Sequence, residues 1–307
     1  MDTQNLIPEL ELIESLAPHW RKRFEKALLY LTVHLDRDPP PSWESVAEHC
    51  AISPHHFHRM FHSVFHEPPG QYLRRLRLQT AVHLLLSSER SSVTEVAHKT
   101  GFSSSQALAK ALKRDLGTSA KAIRALGRAP GSVELQRLLD RLGHPGPETS
   151  PAPQALPSLE RQLAQQLEIE CQSLPTRTLQ ATRLPSADWE AYCQAAEQQP
   201  GTPLVLAAPI TEQLDTRLAD YPVHAGRWVS QAGPHTLTLP GGEHLCCQAR
   251  LASESAYYGV WDRLVEEVLK RGWTLPDNGW GVEIIEQTDA IRTGVTVMTF
   301  QLPVRRP

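Results

Sequence analysis

The chain has 307 residues, of which 40% are hydrophobic, and a formal net charge of −3. This length predicts two domains of ordinary size, and the hydrophobic content is sufficient for packed cores. No stretch approaches 18 continuous apolar residues, so we expect no membrane span, and the acidic N-terminus argues against a signal peptide. The five cysteines lack the spacings of metal sites, which is typical of reduced thiols in a cytoplasmic protein.

The net charge is unevenly distributed along the chain. Residues 20–128 contain 17 Lys and Arg against 9 Asp and Glu, a balance of +8, whereas residues 129–307 contain 14 against 21, a balance of −7. Residues 1–19 contribute the remaining −4. A basic segment inside an acidic protein is typical of a nucleic-acid-binding module joined to a domain of another kind.

The first predicted element is an amphipathic helix over 20–35, which a run of prolines at 39–41 terminates. A helical unit then occurs twice within residues 42–126. Three apolar residues spaced by four recur 51 positions later: Phe57, Phe61 and Phe65, then Leu108, Leu112 and Leu116. This spacing places each trio on one face of a helix and leaves a polar face opposite.

Each copy of the unit predicts a short helix, a tight turn and a second helix. The turns carry Ala51 and Gly101, and Ser53 and Ser104 stand where an N-cap would begin the second helix. This is the pattern of a helix-turn-helix, whose second helix enters a DNA major groove. The stretch 71–86 predicts a long buried helix that fixes the distance between the two reading helices.

Residues 128–165 are rich in proline and predict a linker, with a short surface helix over 133–142. Beyond residue 166 the chain has a second internal duplication, of the form βαββ. The predicted strands are 177–184, 204–208, 222–229, 243–251, 281–286 and 293–302, and the predicted helices are 186–199 and 253–272. The pattern indicates one α+β domain over 166–305, in which two halves share a single sheet with two helices on one face.

Residues 20–126 resemble the double helix-turn-helix DNA-binding domain of the AraC/XylS family of transcription regulators. The motifs that carry the resemblance are SPHHFHRMF (53–61), YLRRLRLQTAVHLL (72–85), VTEVAHKTGFSS (93–104) and ALKRDLG (111–117). In the family the first turn usually has glycine where Ala51 stands. The resemblance implies an all-α domain over 20–127 that binds double-stranded DNA.

Residues 166–305 resemble the GyrI-like effector-binding domain that some of these regulators carry. The motifs are LPGGEH (239–244), GVEII (281–285) and the helix with Tyr257, Tyr258 and Trp261. The resemblance implies a regulator, and not an enzyme, that senses a small molecule without a cofactor. RNA polymerase is a further candidate partner.

The AraC pattern assigns base-contacting positions to six residues: His55, His58 and Arg59 in the first reading helix, and Ser105, Gln106 and Lys110 in the second. Arginine and lysine donate to guanine O6 and N7, and glutamine can pair with adenine. The alternative is a solvated polar face without a partner.

The spacing of His58, His62 and His66 could also suggest a metal site. No cysteine or carboxylate cluster lies nearby in the sequence to complete one, so we expect solvated or phosphate-contacting histidines and no metal.

Glu283 lies in an otherwise apolar strand, where a carboxylate on the packed face requires a partner. In GyrI-like domains this glutamate lines the ligand cleft. The flanking aromatic candidates are Tyr257, Tyr258, Trp261 and Trp280, with Trp189 and Tyr192 either on the other wall or in the core. A carboxylate ringed by aromatic residues suits an amphipathic organic cation. The alternatives are that Glu283 faces solvent or pairs with Arg250.

Two other functions remain open at this point. The cleft could be a hydrolase site in which Glu283 and a tyrosine hydroxyl act on a reactive small molecule. The domain could instead be a protein-interaction module without a ligand.

Overall fold

The computed structural model describes residues 1–35, 37, 41–87, 91–128, 132–146, 157–184, 201–210, 222–289 and 294–307. The helices in these ranges are α1 (Pro8–Glu14), α2 (Pro18–Val33), α3 (Trp43–His49), α4 (Pro54–Phe65), α5 (Pro69–Ser87), α6 (Val93–Lys99), α7 (Ser105–Leu116), α8 (Ala120–Leu126), α9 (Val133–Leu142), α10 (Leu159–Gln165) and α11 (Glu254–Lys270). The strands are β1 (Gln4–Asn5), β2 (Glu170–Leu174), β3 (Arg177–Leu184), β4 (Leu204–Pro209), β5 (Val223–Val229), β6 (Thr236–Leu239), β7 (Gly242–Leu251), β8 (Trp280–Asp289) and β9 (Val295–Val304). We call α2–α9 the helical domain and α10–β9 the sheet domain.

The two helical units fold as the repeat predicts, with α3 and α4 in the first and α6 and α7 in the second. Both predicted trios of core residues are at most 3% exposed. Ser104 caps α7 by accepting a hydrogen bond from the backbone N–H of Ala107 at 3.1 Å. Ser53 occupies the N-cap position of α4, but its side chain accepts no such bond. Among the helices that the structure describes, none is long and apolar enough to span a bilayer.

The two turns have the same left-handed backbone but different residues. Ala51 has a φ of 54° and Gly101 a φ of 69°. A Cβ at Gly101 would lie 2.5 Å from Nη2 of Arg77, whose guanidinium also donates to the carbonyl of Leu35. The second turn therefore requires glycine for space as well as for conformation, whereas the first turn has an alanine in a strained conformation.

The segment predicted as a linker is largely structured, and α9 is not a surface helix. Its four leucines, which are at most 5% exposed, join the core of the second helical unit: Leu135, Leu138, Leu139 and Leu142. At the other end of the segment, α10 packs closely on α11, since a Cβ at Gly259 would lie 3.1 Å from Cβ of Ala164. Within the predicted linker 128–165, the helix over 133–142 is present as α9, but its leucine spacing provides a buried face, and α10 is a helix that the sequence did not indicate. Residues 147–156 lie outside the described ranges.

The described strands form one mixed sheet in the order β1-β7-β9-β8-β4-β5-β3-β6, with β2 also paired to β7. All six predicted strands are confirmed, as β3, β4, β5, β7, β8 and β9. The order β7-β9-β8 in one half corresponds to β3-β5-β4 in the other, and the halves meet where β8 pairs antiparallel with β4. Helix α11 packs against β7 and β9. The helix predicted over 186–199, with Trp189 and Tyr192, lies outside the described residues.

Residues 1–14, for which the sequence predicted no element, contact both domains. Gln4 in β1 pairs in parallel with Ala249 in β7, and α1 packs against both α4 and α10. The N-terminal segment therefore joins the edge of the sheet to the first reading helix.

A buried group of charged residues lies where the N-terminal segment, α5 and α10 meet. Nη2 of Arg75 is 2.8 Å from Oε1 of Glu67 and 3.6 Å from Oε1 of Glu9. Glu160, which is 2% exposed, accepts a hydrogen bond from the backbone N–H of His144 at 2.8 Å. Burial raises the pKa of the Glu160 carboxyl to about 7 and lowers the pKa of His144 to about 4.

The two turns provide a matched pair of variants. Ala51→Gly removes a Cβ from a left-handed residue, and we expect it to increase the free energy of unfolding by about 0.5–1 kcal/mol. Gly101→Ala introduces the same strain and a clash with Arg77, so it should decrease that free energy by at least about 2 kcal/mol. Urea unfolding of the full chain measures both changes. Equal effects of the two substitutions would contradict the proposed role of Arg77.

The raised pKa of Glu160 predicts a pH-dependent stability. In the unfolded chain this carboxyl ionises near its ordinary value of 4.5, so ionisation destabilises the fold as pH rises from about 4.5 to about 7. Glu160→Gln keeps an acceptor for the His144 N–H and cannot ionise. We expect the variant to be more stable than the parent by about 2–3 kcal/mol at pH 8 and equal to it near pH 4.5.

Urea unfolding across this pH range is the measurement for Glu160. The control is Glu168→Gln, which makes the same substitution at an exposed residue. A difference between Glu160→Gln and the parent that is the same at pH 4.5 and pH 8 would show that Glu160 is not held in its neutral form.

Candidate DNA interface and ligand cleft

Helices α4 and α7 present matched exposed residues on the faces opposite their cores. His55 and Arg59 are exposed in α4, and Gln106 and Lys110 are exposed at the equivalent positions of α7. Ser105 is half-buried as the first residue of α7. Four of the six predicted DNA-contacting side chains are thus available to a partner on one face of each helix.

His58 is less accessible than the sequence suggested. It is half-buried, and its ring packs edge-on against Trp43 with centroids 5.3 Å apart. Among the described residues, no cluster of three or more His, Cys, Asp or Glu side chains could bind a metal ion. The exposed face of α4 is therefore narrower than predicted and centres on His55 and Arg59.

The connecting helix α5 and its ion pairs fix the position of α7. Its 19 residues span ~28 Å. Nε of Arg74 in α5 and Nη2 of Arg114 in α7 each lie 2.9 Å from Asp115. The hydrogen bond from Arg114, together with the charge of Arg74, lowers the pKa of the Asp115 carboxyl. An ionised Asp115 thus ties the second reading helix to α5.

Glu283 points from β8 toward α11, and two aromatic side chains of α11 hold its carboxylate. The hydroxyl of Tyr257 and Nε1 of Trp261 both donate to Oε1 of Glu283, the second at 2.9 Å. Burial raises the pKa of the Glu283 carboxyl, against the effect of these two hydrogen bonds. No Lys, Arg or His among the described residues forms an ion pair with it, and Arg250, the predicted alternative partner, is exposed on β7.

The side chains packed around Tyr257 and Trp261 beside Glu283 are aromatic. The ring of Phe300 in β9 lies 5.9 Å from that of Tyr257 and 5.6 Å from that of Trp261. A Cβ at Gly281 would lie 3.2 Å from the ring of Trp261, so glycine leaves room for the indole. The sequence did not indicate Phe300, which comes from a different strand than Glu283, or Gly281, which carries no side chain.

Two of the predicted ligand residues lie elsewhere. Side chains alternate along β8, so Trp280 shares the opposite face of the sheet with Val282 and packs edge-on against His224 at 5.4 Å. Tyr258 packs against the core of the helical domain. The structure therefore groups Tyr257 and Trp261 with Glu283, places Trp280 on the opposite face of the sheet and packs Tyr258 against the helical domain.

The sequence also missed a contact between the two domains along α11. Oε1 of Glu254 contacts Nδ1 of His83 in α5, and Oγ of Ser255 donates to the carbonyl of Leu139 in α9 at 2.8 Å. The partners are more than 100 residues apart in the chain, and no local pattern indicates such a pairing.

Comparison with known proteins identifies the helical domain. A family model described as a helix-turn-helix domain matches residues 46–125. The transcriptional regulator AlkR of Acinetobacter baylyi (strain ATCC 33305 / BD413 / ADP1) is 37% identical over 89 residues, which are 29% of this chain and 29% of AlkR. Residues 46–125 form an AraC-type helix-turn-helix DNA-binding domain.

A second regulator and one solved structure are also similar to this chain. The transcriptional activator RhaS of Escherichia coli O139:H28 is 39% identical over 83 residues, which are 27% of this chain and 30% of RhaS. The solved DNA-binding domain of AdpA, in complex with a target DNA, is 33% identical with a TM-score of 0.32, over 35% of this chain and 94% of that structure. The chain thus spans less than a third of the length of the curated relatives it matches.

Proposed function

We propose that this protein is a sequence-specific transcription regulator. It binds double-stranded DNA through α4 and α7, and its sheet domain senses a small organic cation. The observation that carries the DNA part is the matched exposed stripes of two reading helices, held by one buried helix, within a segment of charge +8. Such a segment gains affinity from phosphate neutralisation and specificity from base contacts.

Arg59 and Lys110 stand at equivalent positions and offer donors for guanine. We expect Arg59→Ala or Lys110→Ala to weaken binding of the full chain to a site selected from genomic fragments by about 1–3 kcal/mol, and to relax base preference at one position. Lys121→Ala, a basic and exposed residue of α8, is the matched control. Fluorescence anisotropy with the selected site and single-base variants measures both quantities. An equal loss of affinity for every sequence would make Arg59 a phosphate contact.

The sensing part rests on Glu283. A partly buried carboxylate with two aromatic donors and no cation among the described residues favours a ligand that brings a positive charge and an apolar surface. The GyrI-like resemblance and the equal strand order in the two halves of the sheet support a duplicated βαββ domain, with the cleft beside its second helix. RNA polymerase remains a predicted partner. No contact among the described residues supports this prediction.

A charge-removing variant tests the cleft. Glu283→Gln keeps an acceptor for Tyr257 and Trp261, so we expect binding of benzyltrimethylammonium to weaken roughly tenfold and binding of its neutral isostere neopentylbenzene to change little. Because burial disfavours the ionised carboxylate, the unliganded variant should melt at the same or a higher temperature at pH 7. Glu286→Gln on the same strand is the matched control. Calorimetric titration measures binding, and equal losses for both compounds would contradict the cation site.

The hydrolase alternative has one observation in its favour, the direct hydrogen bond between Tyr257 and Glu283. Burial and the neighbouring Glu283 charge raise the pKa of the Tyr257 phenol well above its ordinary value, so it remains a hydrogen-bond donor and not a nucleophile at neutral pH. This favours sensing. Recovery of unchanged compound after incubation with the full chain separates the two functions.

A further inference from the structure

We propose that α11 transmits ligand occupancy at Glu283 to the AraC-type domain as a rigid element, an inference that rests on the proposed function of the sheet domain. The helix carries the candidate cleft on one face and the contact with the helical domain on another. Movement of either face must therefore move the other.

The face toward the sheet holds the cleft. Tyr257 and Trp261 are one helical turn apart and both donate to Glu283, while Val260 and Leu264 are fully buried in the sheet core. A cation that pairs with Glu283 neutralises the charge of the carboxylate that accepts both hydrogen bonds, and so weakens them. Its arrival therefore changes the contacts of the first two turns of α11.

The face toward the helical domain lies on the same two turns. Glu254 pairs with His83, Ser255 donates to the carbonyl of Leu139, and Tyr258 packs on the core that contains Leu139. His83 belongs to α5, the helix that connects the two reading helices. Tyr257 of the cleft and Tyr258 of the interface are consecutive residues, with rings 5.3 Å apart.

A second link joins α11 to α9 and α10. Arg161 in α10 pairs with Asp140 in α9 at 3.1 Å and with Asp262 in α11 at 2.6 Å. One guanidinium thus joins an element of the helical domain to two elements of the sheet domain. A shift of α11 therefore changes the packing of α9. Ligand binding and DNA binding then bias the same two conformations of the protein.

Hydrogen–deuterium exchange on the full chain tests this without knowledge of the natural ligand or operator. The perturbation is Glu283→Gln, which keeps an acceptor but removes the charge that strengthens the hydrogen bonds from Tyr257 and Trp261. The interface variant is His83→Ala, and Thr80→Ala, exposed on the same helix α5, is its matched control. We expect Glu283→Gln to change the amide exchange rates in α9 and in residues 78–87 about fivefold or more. The same change is expected in the double variant with Thr80→Ala.

In combination with His83→Ala, the change in α9 and α5 should shrink at least by half while that in α11 remains. Exchange changes confined to α11 and the sheet in the Glu283→Gln chain would overturn the inference. Equal transmission with His83→Ala and Thr80→Ala would overturn the role of the His83–Glu254 contact.

A binding arm separates this inference from the proposed function. Affinity of the full chain for a selected DNA site is measured with and without saturating benzyltrimethylammonium, and we expect a change of about fivefold or more that His83→Ala reduces. Cation binding without any effect on DNA affinity or exchange would overturn transmission and leave sensing intact. Absence of cation binding would refute the proposed ligand class, while the exchange experiment still decides whether α11 couples the two domains.

Discussion

Helix α11 must bury side chains in two directions, and the arrangement of the two domains depends on this constraint. Val260 and Leu264 pack into the sheet core, whereas Ser255 and Tyr258 face the helical domain. A helix with apolar or hydrogen-bonded residues on two faces is stable only when both partners are in place. The helical domain and the sheet domain therefore both pack on α11 and are not connected by a linker alone.

The buried charged residues around Arg75 also make the two domains depend on each other. Burying a guanidinium is costly unless carboxylates surround it, and here they come from α1 and from Glu67, just before the start of α5. Residues 1–14 also extend the sheet through β1. A fragment cut at residues 20–126 would lose α1, β1 and the leucine face of α9, so the full chain is the appropriate material for binding measurements.

Local periodicity and repetition made a large part of the fold predictable from the sequence. Phe57 and Leu108 could be assigned to equivalent cores because the repeat displays the same spacing twice, and the residue pattern was sufficient to identify six of the nine described strands. Glu283 could be singled out because a carboxylate in an otherwise apolar strand requires a partner. Tyr257 and Trp261 came from the family resemblance, and the structure groups them with Glu283.

The features that could not be predicted depend on contacts between distant segments. Nothing local distinguishes Tyr258 from Tyr257, although one faces the helical domain and the other faces Glu283. Trp280 was among the aromatic candidates for the cleft, yet strand alternation turns it to the opposite face. The α9 helix resembled a surface helix because its surroundings are polar and proline-rich, and only the packed core shows its partner.

The central claim is that one chain reads two successive major grooves through α4 and α7. Hydroxyl-radical footprinting of the full chain on a DNA site selected from genomic fragments tests it most directly. We expect two protected segments about 10 base pairs apart on the same side of the duplex, both lost together as salt increases. A single protected segment, or protection that does not depend on salt, would contradict it.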